Sequence, residues 1–530
     1  MKKQNRSKGI KHDPRLETLI ALFQKYKPLI RKGYRVLKKE VTLGMPAPCM
    51  PPIDRDHDTG IGSAFGAGAE RVVSFFGGVF DKILLGPMGP TVSASGHSPY
   101  ISDWGYNPFL LPLEKMVTDG LFSEKELNRI YAIPKKDGVI DFKTVEKSYR
   151  TALAKAYSAA GKGKSFPDFI SSVAARYYAK APADYIGDLQ VQIPPHAPGL
   201  KSSMLLKGYS LGCPPDQFSD KPQVWNFRIF DPAQVFDGHG NLGPAGRVWY
   251  NIIDSAMKQA KGGLRIDHYI GFVNPYVISD KDPKDAVRLF SSPNHPLLGK
   301  YVKKDFSDIT RQIVLACAQN NGLKSTDIYP EDIGTRPPQL DQVFRRCGLG
   351  RLLVAQFFEP TNWDHIYHLS QAKPLDIATL DTHDTPSVQQ FFDNLSPEKR
   401  AQFAWTLSAD LRFNYNDDLC RTEQLIRMQW GALLASPARR IQAFFTSWTG
   451  QGGRYNIPEK KNQWRLRCVS NFEELYFKNL AKGRAYNPFD AISLAIYARG
   501  DDFYHKNEQL VHALRAAEDE ILSLSRSLLG

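Results

Sequence analysis

The chain has 530 residues, 42% hydrophobic and 23% charged, which is apolar material for one large core with insertions, or for roughly two to four domains. This excludes a disordered chain, and no run reaches the roughly 18 to 20 apolar residues of a membrane span. The formal charge of +14 comes from 69 basic and 55 acidic residues; without aromatic interleaving, a zinc finger, an RNA-binding strand motif or a P-loop, a solubilising basic surface explains it better than nucleic acid does.

The opening MKKQNRSKGIKHD runs into the mixed LETLIALFQKYKPLI and not into a signal-peptide core, so a soluble, unexported protein is expected. Six cysteines, Cys49, Cys213, Cys317, Cys347, Cys420 and Cys468, contain no CxxC and suggest reduced thiols of a cytoplasmic protein, with neither a zinc pattern nor a disulfide framework. Much of the positive excess lies in KKQNRSKGIKH and RKGYRVLKKE, which sets residues 1–50 apart as a basic helical extension and leaves 51–530 as the main unit.

In chain order, a helix is expected from about 14 to 42, followed by a Pro and Gly loop through VTLGMPAPCMPPIDRDHDTGIG. KILLGP reads as a buried strand emptying into a loop, and SASGHSPYISDWGYNPFLL then carries Tyr100, Trp104 and Asn107 toward a cleft. Residues of about 112–187 form a mainly helical insertion, with EKELNRI and VEKSYRTALAKAYSAA as its clearest segments. Strand and loop character resumes at DYIGDLQVQIPPHAP, and VWYNIIDSAMKQA is a helix feeding the strand GGLRIDH. Further helix-then-strand units end in STDIYPEDIG, RLLVAQFF and PLDIATLDTHD, which places the chain in the α/β class.

Three acidic segments, LRIDH, YPEDIG and TLDTHDT, put a carboxylate at or near the end of a short apolar run, which is how a barrel enzyme gathers acids from separate strand ends. Arg265 and Asp267 are two apart and leave the same face of a strand, so the cation keeps its neighbour ionised. Glu331 would need a raised pKa to donate a proton, the division expected of a retaining glycosidase pair about 5 to 5.5 Å apart. Asp384 is then an additional acid binding sugar hydroxyls, with His268 and His383 hydrogen-bonding around the same sugar. Singly, each acid is more often a helix cap or ion-pair member and each histidine a structural one; the combination is harder to dismiss. His383, Asp384 and Asp381 also offer a metal cluster, but no HExxH accompanies them and no metal is expected.

These segments resemble the 4-alpha-glucanotransferases, the amylomaltase or disproportionating enzyme family of the alpha-amylase-like superfamily. HDTGIG from His57, LLGPMGPT from Leu84, SPY from Ser98, YNPFLLPLE from Tyr106, GCPPDQFS from Gly212, VWYN from Val248 and HYIGF from His268 extend the likeness over roughly residues 50 to 470. The resemblance implies a (β/α)8 TIM barrel with inserted, largely helical subdomains and no cofactor. It implies Asp267 as nucleophile, Glu331 as acid/base and Asp384 as stabilising acid, with Tyr100, Asn107, Trp225, Arg265, His268 and His383 binding malto-oligosaccharides or longer alpha-1,4-glucans.

Departures fall in the substrate loops. After GCPPDQFS the chain reads DKPQVWNFRIFDP, where only Gln223 and Trp225 keep the family's flavour; Ile270 stands for an arginine, and the later pieces read NIP from Asn456 and WRLR from Trp464. Tyr100, Trp104, Trp225 and Trp249 are candidate platforms for sugar faces, with packing the slightly favoured role for each. A plain alpha-glucan hydrolase would use the same three acids, and a silent glycan-binding protein would be expected to drop one.

Overall fold

In the computed structural model, residues 13–91, 96–161, 163–180, 182, 184–216, 219–457, 460 and 463–529 are described. The basic opening 1–12 and positions 217 and 218 of the GCPPDQFS segment lie outside them. Twelve strands occur among the described residues: β1 Glu40–Gly44, β2 Lys82–Leu84, β3 Tyr185–Leu189, β4 Tyr209–Cys213, β5 Gln223–Phe227, β6 Gly263–Ile266, β7 Tyr276–Ser279, β8 Ala286–Arg288, β9 Ile328–Pro330, β10 Leu352–Val354, β11 Ile377–Thr379 and β12 Arg440–Phe444.

Eight of them form one sheet in the order β10, β11, β12, β1, β2, β3, β6, β9, with every pair parallel. Side-chain alternation explains why the sheet curls into a (β/α)8 barrel. Val41, Leu43, Ile83, Leu85, Tyr185, Leu264, Ile266, Ile328, Leu353, Ala378, Ile441 and Ala443 pack into the two large cores outside the sheet, while Ile186, Tyr329, Leu352, Val354 and Ile377 form a smaller third core. Both faces are therefore buried, which open antiparallel sheets seldom need.

The lower end of the barrel is closed by polar side chains. Arg440 Nη1 donates to the carbonyls of Thr326 (2.7 Å) and Ile328 (3.0 Å), and the Tyr329 hydroxyl donates to Glu40 Oε1 at 2.9 Å. Between β9 and β10 there is no strand ladder. Asp332 spans that seam: its Oδ1 accepts from the Leu352 amide at 2.8 Å, and its Oδ2 lies 2.9 Å from Arg336 Nε in an ion pair.

The helix expected from about 14 to 42 runs from Pro14 to Leu37, and the chain turns out at Lys38 in the left-handed region before the Val41 and Leu43 positions of β1. The first barrel strand thus lies within the stretch 1–50 that basic composition sets apart. The helix buries Leu19, Phe23 and Ile30, and Phe23 stacks on Phe75 at 5.4 Å. Between β2 and β3 come the helices Leu113–Thr118, Glu124–Tyr131, Phe142–Ala160 and Phe166–Tyr178, with Ser123 and Ser165 capping two of them by accepting from the amides of Glu126 and Asp168.

A four-stranded antiparallel sheet, ordered β5, β4, β7, β8, flanks the barrel between its third and fifth strands. No described helix is long and apolar enough to cross a membrane.

Asp332→Ala removes the seam's clasp and leaves Arg336 without its buried partner, a loss of about 3 kcal/mol or more. The expected result is a lower midpoint of thermal unfolding; a midpoint equal to that of the unsubstituted chain would show that the seam is held by other contacts.

Candidate active site

At the upper end of the barrel the strand rows finish in charge. Asp188 stands two past Ile186, Asp267 two past Arg265, and Glu331 two past Tyr329, so strand parity turns all of these carboxyls to one side. Asp267 and Glu331 reach a cleft of about 530 Å³ whose lining includes Tyr100, Trp225, Arg265, His268, His383 and Asp384, while Asp188 stays buried behind Arg265. Trp225 arrives on β5, of which Gln223, Val224, Trp225 and Phe227 line the cleft, Val224 as an exposed residue of its rim.

Asn107 does not join them. It is buried at the start of the short helical turn Pro108–Leu110, where its Oδ1 accepts from the Phe109 amide at 3.0 Å, so its polar group is used as a cap. Two of the candidate platforms also lie elsewhere: Trp249 stacks on Phe272 at 4.6 Å, and Trp104 packs against the second core. Ile270 is buried in that core as well.

Arg265 organises the charges. Its Nη1 donates to both oxygens of Asp188, at 2.8 and 3.0 Å, and its Nη2 donates to Asp267 Oδ1 at 2.9 Å. The Tyr100 hydroxyl donates to Asp188 Oδ2 at 2.8 Å, and the Tyr100 ring stacks on His383 at 4.7 Å and 15°. Burial raises Asp188 to about 6 despite the guanidinium. Burial also pushes Asp267 up, opposed by Arg265 and His383.

Glu331 is shifted strongly upward. Burial and then the neighbouring Asp267 charge raise it to about 8, against the pull of Arg265 and two backbone amides. Those amides belong to His268, which donates to Oε2 at 2.9 Å, and to Ile333, which donates to Oε1. Because Asp267 and Glu331 repel one another, a single proton shared by the pair rests on Glu331, leaving an anion beside a fixed cation opposite a proton donor.

On the far wall, burial alone would raise Asp384, but His383, Asn456 and Arg265 hold it below the usual carboxylate range. His383 Nε2 is 3.1 Å from Asp384 Oδ2, and Asn456 Nδ2 donates to Oδ1 at 2.6 Å. Arg454 donates to the Asp384 carbonyl. His268 has a left-handed backbone, φ 44°, and sits edge-on to Trp225 at 4.7 Å. Burial, and secondarily Arg288, lower its pKa to about 3, so the ring is neutral and its Nε2 has no protein partner.

Sequence reasoning missed Asp188, the buried partner of Arg265, although one signal was present: an acid near the end of the apolar strand run DYIGDL. Asn456 and Trp464, visible only as departures, also line the cleft, Trp464 with its ring 5.6 Å from Tyr100. Asp381 is turned away; it accepts from the Phe444 amide at 2.8 Å and the Ser447 hydroxyl at 2.6 Å, which ties the His383 and Asp384 loop to the end of β12. Among the described residues no group of three His, Cys, Asp or Glu side chains is arranged to hold a metal ion.

Arg265→Met would leave Asp188 and Asp267 buried without a cation, at a cost of about 3 to 5 kcal/mol. Both carboxyls would then hold protons in the native chain that the unfolded chain, with ordinary aspartates near about 3.9, has released. Native protons in excess make stability fall as pH rises above that value. The deficit in thermal midpoint should therefore be larger at pH 8 than at pH 4.5; an equal deficit at both would reduce the guanidinium's contribution to packing.

The model of the 4-alpha-glucanotransferase family matches residues 197–471. A 4-alpha-glucanotransferase of Chlamydia pneumoniae is 22% identical over 198 residues, 37% of this chain and 33% of that protein. One of Clostridium butyricum is 24% identical over 268 residues, 49% of this chain and 47% of that protein. The matched stretch thus spans less than half the length of either relative. Among solved structures, the amylomaltase from Streptococcus agalactiae in complex with acarbose superposes with a TM-score of 0.59 at 16% identity, covering 87% of this chain and 100% of that one. The amylomaltase from Corynebacterium glutamicum gives 0.63 at 15%, covering 91% and 76%. Those two likenesses carry the fold, and the family model, matching more than half of the 530 residues, carries the kinship: the chain belongs to the 4-alpha-glucanotransferase family of the alpha-amylase-like superfamily.

Proposed function

We propose that the chain transfers alpha-1,4-glucan segments to the 4-hydroxyl of glucose or another glucan by a retaining double displacement, as a soluble cytoplasmic enzyme. The observation that carries this reading is the pair of unequal carboxyls: Asp267 beside the Arg265 guanidinium, and Glu331 raised to about 8.

In the first half, the Asp267 carboxylate attacks the anomeric carbon while Glu331 gives its proton to the departing glycosidic oxygen, and a beta-linked glucosyl ester forms. In the second half, Glu331 takes the proton of an acceptor 4-hydroxyl, that oxygen attacks the anomeric carbon, and Asp267 leaves as carboxylate. Two inversions restore the alpha linkage. Asp384, held ionised by His383 and Asn456, would bind the sugar's hydroxyls and favour the positive character of the transition state. His268 is neutral, so it can donate a hydrogen bond without adding charge.

Transfer has to outrun hydrolysis, and the aromatic walls of Tyr100, Trp225 and Trp464 suit that requirement. Rings that stack on acceptor sugars orient a hydroxyl toward the ester and displace water.

Incubation with maltotriose, with and without added glucose, tests the reading. A ladder of shorter and longer glucans at constant reducing ends is expected; rising reducing ends would make the chain a hydrolase, and an unchanged substrate would remove the proposed donor class.

Asp267→Asn and Glu331→Gln should each lower turnover by about a thousandfold or more, several kcal/mol of barrier. Unsubstituted rates in either variant, with contaminating enzyme excluded, would overturn the assignment. Since Glu331 must start protonated, kcat/KM should fall as pH rises through about 8, whereas a profile flat from pH 6 to 10 would mean that another group donates the proton.

A further inference from the structure

We propose that Trp363 and Trp405 form a second binding site for an alpha-1,4-glucan chain, on the outer surface and separate from the cleft. Trp363 lies on the connection from β10 to β11, and Trp405 on the helix Pro397–Asp410 that follows β11. Neither lines the cleft. The two indoles are 36% and 50% exposed, yet their rings meet, with centroids 6.0 Å apart and planes at 73°.

The backbone under this pair is held firmly. Phe358 packs on Phe403 at 5.0 Å, Thr406 Oγ1 donates to the Pro360 carbonyl at 2.5 Å, and Lys399 Nζ donates to Glu359 Oε1 at 2.8 Å. Gln371 Nε2 donates to the Trp363 carbonyl at 2.9 Å, and the buried His368 ring supports the Trp363 indole at 4.8 Å. Side chains fixed from below, with their remaining surface in water, are preordered for contact and lose little entropy on binding.

The surroundings select the ligand. Ile366, 46% exposed, lies near Trp363 in the chain, whereas Thr361, Asn362, Asp364 and Ser370 are exposed polar residues of the same connection. Two half-exposed indoles and an isoleucine present a few hundred Å² at most, roughly, well under the about 800 Å² per partner of a stable protein interface. A pyranose offers the complementary pattern, an apolar C–H face for each indole and a rim of hydroxyls for the amide, carboxylate and hydroxyl groups around them. The angle between the rings suits a curved chain better than a flat one.

The ligand class rests on the proposed reaction, in which such chains are donors and acceptors. A second foothold on a long chain raises the effective concentration of its remaining segments at the cleft, while a trisaccharide gains nothing from it.

The experiment compares the full chain with the double variant Trp363→Ala/Trp405→Ala and with Trp405→Tyr. Mobility is measured in native gels containing soluble amylose, and maltotriose turnover is measured in solution. The double variant should bind amylose about tenfold more weakly at unchanged maltotriose turnover, and Trp405→Tyr should keep most of the affinity. Retardation of the double variant equal to that of the unsubstituted chain would overturn the site. So would a lower sedimentation mass of the double variant with amylose binding retained, which would assign the surface to self-association. If maltotriose is untouched but the double variant still loses amylose binding, the reaction fails and the site stands.

Discussion

Arg265 lies between Asp188 on β3 and Asp267 just past β6, hydrogen-bonded to both, buried with Asp188 while Asp267 is partly open to the cleft. Its position follows from strand parity, and much of the cleft follows from its position. The guanidinium makes a buried anion at Asp267 tolerable; that anion raises Glu331; and a raised Glu331 can hold a proton at neutral pH. Tyr100 enters the same network through its hydroxyl on Asp188 and carries the order across to His383 by ring stacking, and His383 reaches Asp384. Three carboxyls from three strand ends thus have three different environments, Glu331 buried and Asp267 and Asp384 partly open to the cleft.

How much of this was legible in the sequence depended on where polar residues fall in the strands. LRIDH, YPEDIG and TLDTHDT were readable because their acids come after the apolar run, so the strand shows as a strand and the acid as its end. The alternation of helix and strand through residues 244 to 379 was readable for the same reason, and it fixed the α/β class. β12 escaped because Arg440 and Gln442 interrupt RIQAF from within. In the fold these are buried residues, and Arg440 gathers the carbonyls of β9 and its approach. β1 escaped because a long amphipathic helix runs to Leu37 and only Lys38 and Lys39 separate the two periodicities.

Among side chains, residue type alone does not separate a group that faces the cleft from one that packs beside it. Asn107 was selected for its polarity and its place among aromatics, but a short amide beside Pro108 satisfies a local amide first, and a cap is indistinguishable from a ligand in sequence. Trp249 and Trp104 show that aromatic residues near a site pack into its walls as readily as they face it. Asp188 was passed over because no basic neighbour marks it in the chain; its partner is 77 positions away and adjacent only once β3 and β6 pair.

The seam between β9 and β10 gives the barrel a directional mechanics. Seven junctions are zipped by backbone, and the eighth is clasped by the Asp332 carboxylate on the Leu352 amide. Arg351, on the β10 side, also lies 3.6 Å from Asp332, and the residue before this clasp is Glu331. One peptide unit thus joins the carboxylate that closes the eighth junction to the carboxyl that burial and Asp267 raise, so the closure of the ring and the placement of the proton donor share one turn of chain.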